Sequence, residues 1–144
     1  MTKHIERTLH VHKPAARVWE YLSDFRSTND WDPGTVSTEL VSGDGGVGTV
    51  YRNVSRFVGR ETTLIYTVTA VEQGRSITLV GKTKAVTSTD TITVEGDEAR
   101  STVKYHARFE LHGMAKVVEP VMGIPLKKLG DDAEKSLRAA LEAL

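Results

Sequence analysis

From Thr35 to Leu111 the chain alternates strand-forming runs with short breaks, and from Val118 onward its apolar residues recur at steps of three and four. This switch of period, from two to about 3.6, limits the fold more than any other feature. The first region is rich in Thr, Val, Ile and Tyr, which suit a pleated, half-buried surface. Its breaks fall at Gly43-Asp44-Gly45-Gly46, Val58-Gly59-Arg60, Gln73-Gly74, Gly81 and Glu95-Gly96-Asp97-Glu98. Breaks this short join neighbouring antiparallel strands, so the region predicts a meander of six. In the tail, Val118, Met122, Pro125, Leu126, Leu129, Ala133, Leu137, Ala140, Leu141 and Leu144 form one amphipathic stripe. Pro120 and Pro125 predict a kink or a short lead-in to that helix.

The N-terminal segment adds a seventh strand. Ile5, Arg7, Leu9 and Val11 alternate with His4, Glu6, Thr8, His10 and His12. Pro14 ends it and suits the first turn of a helix. Val18, Leu22 and Phe25 follow at helical spacing, with an end expected between Ser23 and Arg26 and a second short helix over Ser27 to Trp31. Asp32-Pro33-Gly34 is a turn, because Pro sets φ and Gly tolerates positive φ. The expectation is an α+β fold in one domain, residues 1–144. A seven-stranded curved antiparallel sheet would wrap a long C-terminal helix, with two short helices after the first strand. Such a sheet needs its apolar face covered, and the gap between sheet and helix is the expected ligand cavity.

Composition removes several function classes. Nineteen Lys and Arg balance nineteen Asp and Glu, which argues against a nucleic-acid binder and against a polybasic membrane-surface protein. Without cysteine there is no disulfide or thiolate metal site. The N-terminus has no apolar signal-peptide core, and no run is long enough to span a bilayer, so the reading is a soluble, cytoplasmic protein.

The stretch Lys13-Pro14-Ala15-Ala16-Arg17-Val18-Trp19-Glu20-Tyr21-Leu22-Ser23-Asp24-Phe25 resembles the opening of the START/Bet v 1-like (SRPBCC) superfamily. Asn29-Asp30-Trp31-Asp32-Pro33-Gly34, Gly46-Val47-Gly48-Thr49-Val50-Tyr51-Arg52 and Ala85-Val86-Thr87-Ser88-Thr89-Asp90-Thr91-Ile92-Thr93 are similar to its later segments. The resemblance covers essentially the whole chain and is nearest the polyketide cyclase/dehydrase and lipid-transport branch. It implies the helix-grip fold. It does not choose among carriers, cyclases, oxygenase domains and chaperone activators, so function rests on the pocket.

Two faces compete on the strand from Thr49 to Phe57. Similarity to the cyclases favours Tyr51, Asn53, Ser55 and Phe57 as cavity-lining, with Arg52 and Arg56 in solvent; the reverse remains open. On the last strand Val103, Tyr105, Ala107, Phe109 and Leu111 point inward, and Leu64, Tyr66 and Val68 do so on theirs. Tyr51, Tyr66 and Tyr105 could each give a hydroxyl to an apolar pocket, or could be core residues with satisfied hydroxyls. Trp31 is either a lid or a wedge for the short helix. Val118 and Met122 are either cavity wall or ordinary core. Arg7 could meet a ligand oxyanion, or pair with a carboxylate at the strand's open end. Asp90, if inward, would need a partner and would have a raised pKa suited to acid/base work. Glu6, His10, His12 and His106 share a solvated face, and no metal or other cofactor is expected. His112, before Gly113, reads as a turn residue.

Three functions follow. The first is binding or transport of a hydrophobic small molecule: a lipid, polyketide or isoprenoid-like compound. The second is a polyketide cyclase/dehydratase-type enzyme that positions a poly-carbonyl chain. The third is a protein-interaction module, which the even charge pattern and the lack of an obvious exposed apolar patch support least. Either a monomer or a homodimer fits, because an edge strand can be covered in more than one way.

Overall fold

The computed structural model describes residues 2–144, without the side chains of Thr2 and of residues 118–120. Seven strands form one antiparallel sheet: β1 (Thr2–Val11), β2 (Thr35–Ser42), β3 (Val50–Phe57), β4 (Arg60–Glu72), β5 (Ser76–Lys82), β6 (Val86–Gly96) and β7 (Ser101–Leu111). Their order is β1-β7-β6-β5-β4-β3-β2, so every neighbour except the β1–β7 pair is joined by a hairpin. The helices are α1 (Ala15–Leu22), α2 (Thr28–Trp31) and α3 (Gly123–Glu142), with 3-10 turns at Phe25–Ser27 and Gly113–Val121.

The tail's stripe is the face that α3 buries. Leu126, Ala133, Leu137 and Leu141 are all in the core. Each fully buried leucine contributes about 1.5–3 kcal/mol of transfer free energy. The expected lead-in is the 3-10 segment, and Pro125 is the third residue of α3, where no intrahelical donor is needed. Pro14 caps α1, which ends at Leu22, just short of the expected boundary. The Lys13 carbonyl accepts from Ser101 Oγ, and the Ala15 amide donates to the Asp97 carbonyl at 2.8 Å. These bonds fasten the start of α1 to the β6–β7 turn.

One expected break is corrected. Gly81 lies inside β5, paired with Tyr66 on one side and Ser88 on the other. A Cβ there would stand 2.7 Å from the Tyr66 ring, so the glycine makes room for the tyrosine. The chain turns instead at residues 83–85, where Thr83 Oγ1 accepts from the Ala85 and Val86 amides.

Candidate functional site

The inward face of β3 carries Tyr51 and Asn53 in the core and Ser55 and Phe57 half-buried, while Arg52 and Arg56 face solvent. The direction of β6 is also resolved: Ser88, Asp90, Ile92 and Val94 are buried, and the intervening threonines are half-exposed. Asp90 occupies the middle of the gripped face, opposite Leu79 on β5 and Ala107 on β7.

Asp90 is the centre of a polar cluster in an apolar setting. It is 5% exposed. Ser88 Oγ donates to Oδ1 at 2.7 Å, and the Tyr105 hydroxyl donates to Oδ2 at 3.2 Å. The Tyr66 hydroxyl stands 3.5 Å from Oδ1, at the outer limit of a hydrogen bond. Burial pushes the Asp90 carboxyl up to about 6, against the hydrogen bonds from Ser88, Tyr105 and Tyr66, and the Asp32 carboxylate pushes it further the same way. Burial, then the Asp90 charge, holds both phenols well above their usual value, so they remain protonated donors. The result is a proton acceptor poised near neutral pH with fixed donors around it.

Asp32 was read from sequence only as part of a turn. Its Oδ1 accepts from the Gly34 amide at 2.9 Å and its Oδ2 from Thr35 Oγ1 at 3.0 Å. Burial raises this carboxyl too. Within Asp32-Pro33-Gly34 the spacing signals a turn, and nothing local says that the turn faces the grip.

Other expected residues take different positions. Trp31 is 1% exposed, crosses Tyr105 edge-on with centroids 5.3 Å apart, and donates Nε1–H to Ser27 Oγ at 3.1 Å. It is a wedge, not a lid. The Asn53 Nδ2 donates to Thr35 and Thr38 hydroxyls at 3.1 and 2.8 Å, and its Oδ1 accepts from Ser55. Asn53 therefore ties β3 to β2, and Ser55 holds the Asn53 amide from within β3. Arg7 pairs with Asp131 at 2.8 Å and Glu134 at 3.6 Å on α3. Phe57, Phe109 and Met122 are half-buried against the core. The side chain of Val118 lies outside the described residues.

Of the three tyrosines expected to border a cavity between sheet and helix, Tyr51 lines a cleft. A cleft of about 460 Å³ lies between the end of α1 and the glycine-rich β2–β3 loop, lined by Trp19, Leu40, Tyr51, Val71 and Ile77 and rimmed by Asp24 and Arg26. A second, of about 220 Å³, lies between β1 and the start of α3, beside Lys3, Ile5, Arg7, Gly123 and Leu126. Neither is lined by Asp90, Tyr66 or Tyr105. Trp31 packs edge-on against Tyr105 on that side of the sheet. Sequence reasoning also missed the larger cleft, because its walls come from four separate segments.

The outer surface holds two more features. His4 Nδ1 and His106 Nε2 are 3.0 Å apart on the solvated face of β1 and β7, and no group of three or more metal-ligating side chains occurs among the described residues. His112 is half-buried at the end of β7, with Nε2 2.8 Å from Thr87 Oγ1. The expectation of no exposed apolar patch is corrected. Met114, Val117, Val121 and Ile124 are 83%, 70%, 73% and 84% exposed. No helix among the described residues is long and apolar enough to cross a membrane.

The fold is shared with several solved structures. The chain is similar to the Zhui aromatase/cyclase from a Streptomyces species, with a TM-score of 0.70 at 21% identity over 97% of this chain and 98% of that one. A START superfamily protein from Mycobacterium smegmatis gives 0.71 at 17% identity over 97% and 94%. Norcoclaurine synthase from Thalictrum flavum gives 0.61 at 23% identity over 94% and 86%. No curated protein matches the sequence. The description "polyketide cyclase / dehydrase and lipid transport" belongs to a family that matches residues 2–142, and with the helix-grip fold this places the chain in that family, within the START/Bet v 1 superfamily.

Proposed function

We propose that the protein binds an apolar small molecule bearing carbonyl groups between sheet and α3, and that Asp90 acts on it as a proton acceptor in a cyclase/dehydratase-type reaction. The observation that carries this reading is the Asp90 cluster. A passive apolar container has no need of a carboxylate whose burial raises its pKa to about 6. A valine there would cost nothing in desolvation, and buried, perturbed groups concentrate where chemistry is done.

The step balances within the substrate. Asp90 takes a proton from the carbon between two carbonyls, and the electron pair moves onto a carbonyl oxygen as an enolate. Once Asp90 is protonated, the Tyr105 or Tyr66 hydroxyl can donate to that oxygen instead of to the carboxylate. The enolate carbon attacks a second carbonyl carbon of the same chain and closes a ring. Asp90 returns the proton to the alkoxide this forms, then takes the second proton of the same carbon and passes it to the new hydroxyl, which leaves as water as a carbon–carbon double bond forms. Shape supplies the rest, by holding the reacting carbons together.

Turnover of a poly-carbonyl thioester tests the reading. Asp90→Asn should abolish turnover and keep binding, and wild-type kcat/KM should rise through about pH 6. Equal turnover in Asp90→Asn would refute it. A second reading, carriage of the same ligand class without turnover, is favoured by one observation: neither cleft reaches Asp90. A ligand recovered by organic extraction of the native protein, with no turnover of any poly-carbonyl probe, would select that reading.

A further inference from the structure

The connection from β7 to α3 gathers four exposed apolar side chains within eleven residues. Residues Gly113–Val121 form a 3-10 segment, and Met114, Val117, Val121 and Ile124 project from it and from the first turn of α3 at 70–84% exposure.

A second apolar side chain group member stands at the same end of the sheet. Phe57 pairs with Arg60 across the β3–β4 turn, Val86 with Leu111, and Thr2 with Glu110, so that turn, the β5–β6 turn and the β7–α3 connection all lie at one end. The β3–β4 turn presents Val58, 70% exposed, at φ +51°. A β-branched residue is poorly suited to that backbone, where Asn or Gly is cheaper. Its side chain is unburied, so packing does not explain it.

Cations flank the patch. Lys127 and Lys128 pair with Asp131 and Asp132 at 2.9 and 2.7 Å, and further exposed cations at this end are Arg60, Lys82 and Lys116. Exposed Lys84 is carried by the β5–β6 turn, which is tied to this connection by the His112 amide donating to the Ala85 carbonyl at 2.8 Å. The smaller cleft opens beside it, between β1 and Gly123–Leu126.

We infer that this end of the protein docks on an anionic lipid bilayer, inserting Val58, Met114, Val117, Val121 and Ile124 with lysines at the headgroup level. Exposed apolar side chains beside lysines match an interface of acyl chains under anionic headgroups. Exposed Arg60, Lys82, Lys84 and Lys116 supply local attraction that the neutral whole chain does not. The surface goes beyond the proposed chemistry and gives a water-insoluble ligand a direct route between bilayer and grip.

Co-sedimentation with phosphatidylcholine vesicles, with and without phosphatidylglycerol, tests it. The intact protein should bind the mixed vesicles, bind the neutral ones less, and lose binding as salt rises. The double variant Val121→Asp/Ile124→Asp should lose about tenfold or more in partitioning. Both positions are exposed, so the variant should melt like the wild type; Val58→Asn gives a smaller loss and serves if it does not. No vesicle binding by the wild type, or equal binding by the double variant, would overturn the inference. So would a homodimer that the double variant dissolves without any vesicle binding. The assay needs neither ligand nor turnover, and Asp90→Asn should bind vesicles normally, so the two readings fail separately.

Discussion

Replacing Asp90 by asparagine should make the protein more stable at neutral pH, by an amount that grows between pH 4 and pH 6. The carboxyl rises from 3.8 to about 6 on folding. At about 1.4 kcal/mol per unit, that shift of about two units is a penalty of about 3 kcal/mol when the group is ionised. The native state holds the proton more tightly than the unfolded chain. Below pH 4 both states are protonated and no penalty exists. Between pH 4 and 6 the unfolded chain releases its proton first, so wild-type stability falls as pH rises; above 6 the penalty is constant. Asparagine removes it, at a pH-independent cost of about 1 kcal/mol, because its NH2 cannot accept from Tyr105 while its oxygen accepts from Ser88. Carboxyls held low, such as Asp24 beside Arg26 and Asp131 beside Lys127, push the pH dependence the other way. They cancel in the difference between variant and wild type. Urea unfolding of both proteins from pH 4 to 7.5 gives that difference directly. If it stays flat across this range, or shrinks, Asp90 is not a buried carboxylate with a raised pKa, and the acid/base argument loses its foundation.

Further outcomes can be checked by the same unfolding assay. Val58→Asn should stabilise by about 1 kcal/mol, since Val58-Gly59 is a two-residue hairpin turn with both φ positive. Gly81→Ala should destabilise by about 1–3 kcal/mol, because its methyl would meet the buried Tyr66 ring, and it should disturb the Tyr66–Asp90 contact. Asn53→Ala should cost about 1–3 kcal/mol by removing the acceptor of the Ser55 hydroxyl and the donor to the Thr35 and Thr38 hydroxyls.

Periodicity carried the architecture. The alternation in β7 and the stripe in α3 each name one buried face, and both faces are the ones packed in the core. Periodicity was silent where both faces of a strand look alike. Thr87, Thr89 and Thr91 are as compatible with burial as Ser88 and Asp90, so the direction of β6 depends on partners that lie on β4 and β7. The site was half legible for the same reason. Tyr66, Tyr105 and Asp90 could be named singly, but their convergence depends on strand register. Asp32 and the wedge position of Trp31 depend on how α2 lies against the sheet, and no local pattern encodes that. The β2–β3 loop cleft joins residues as distant as Trp19 and Ile77. Its floor became visible only in three dimensions.

The one non-sequential pairing has a consequence for biosynthesis. β1 leaves the ribosome before the other strands of this sheet, yet its partner is β7, with Thr2 opposite Glu110. The strands from β2 to β7 can pair with each predecessor as they emerge, at low loop-closure cost. β1 must wait, with Ile5, Leu9 and Val11 unburied, until about a hundred residues have been translated, about 5–20 s at cellular elongation rates. α3 follows last and packs on β1. The exposed N-terminal strand is therefore where a nascent-chain chaperone has the longest opportunity to bind, and where stalled synthesis leaves an apolar edge free to pair with another chain.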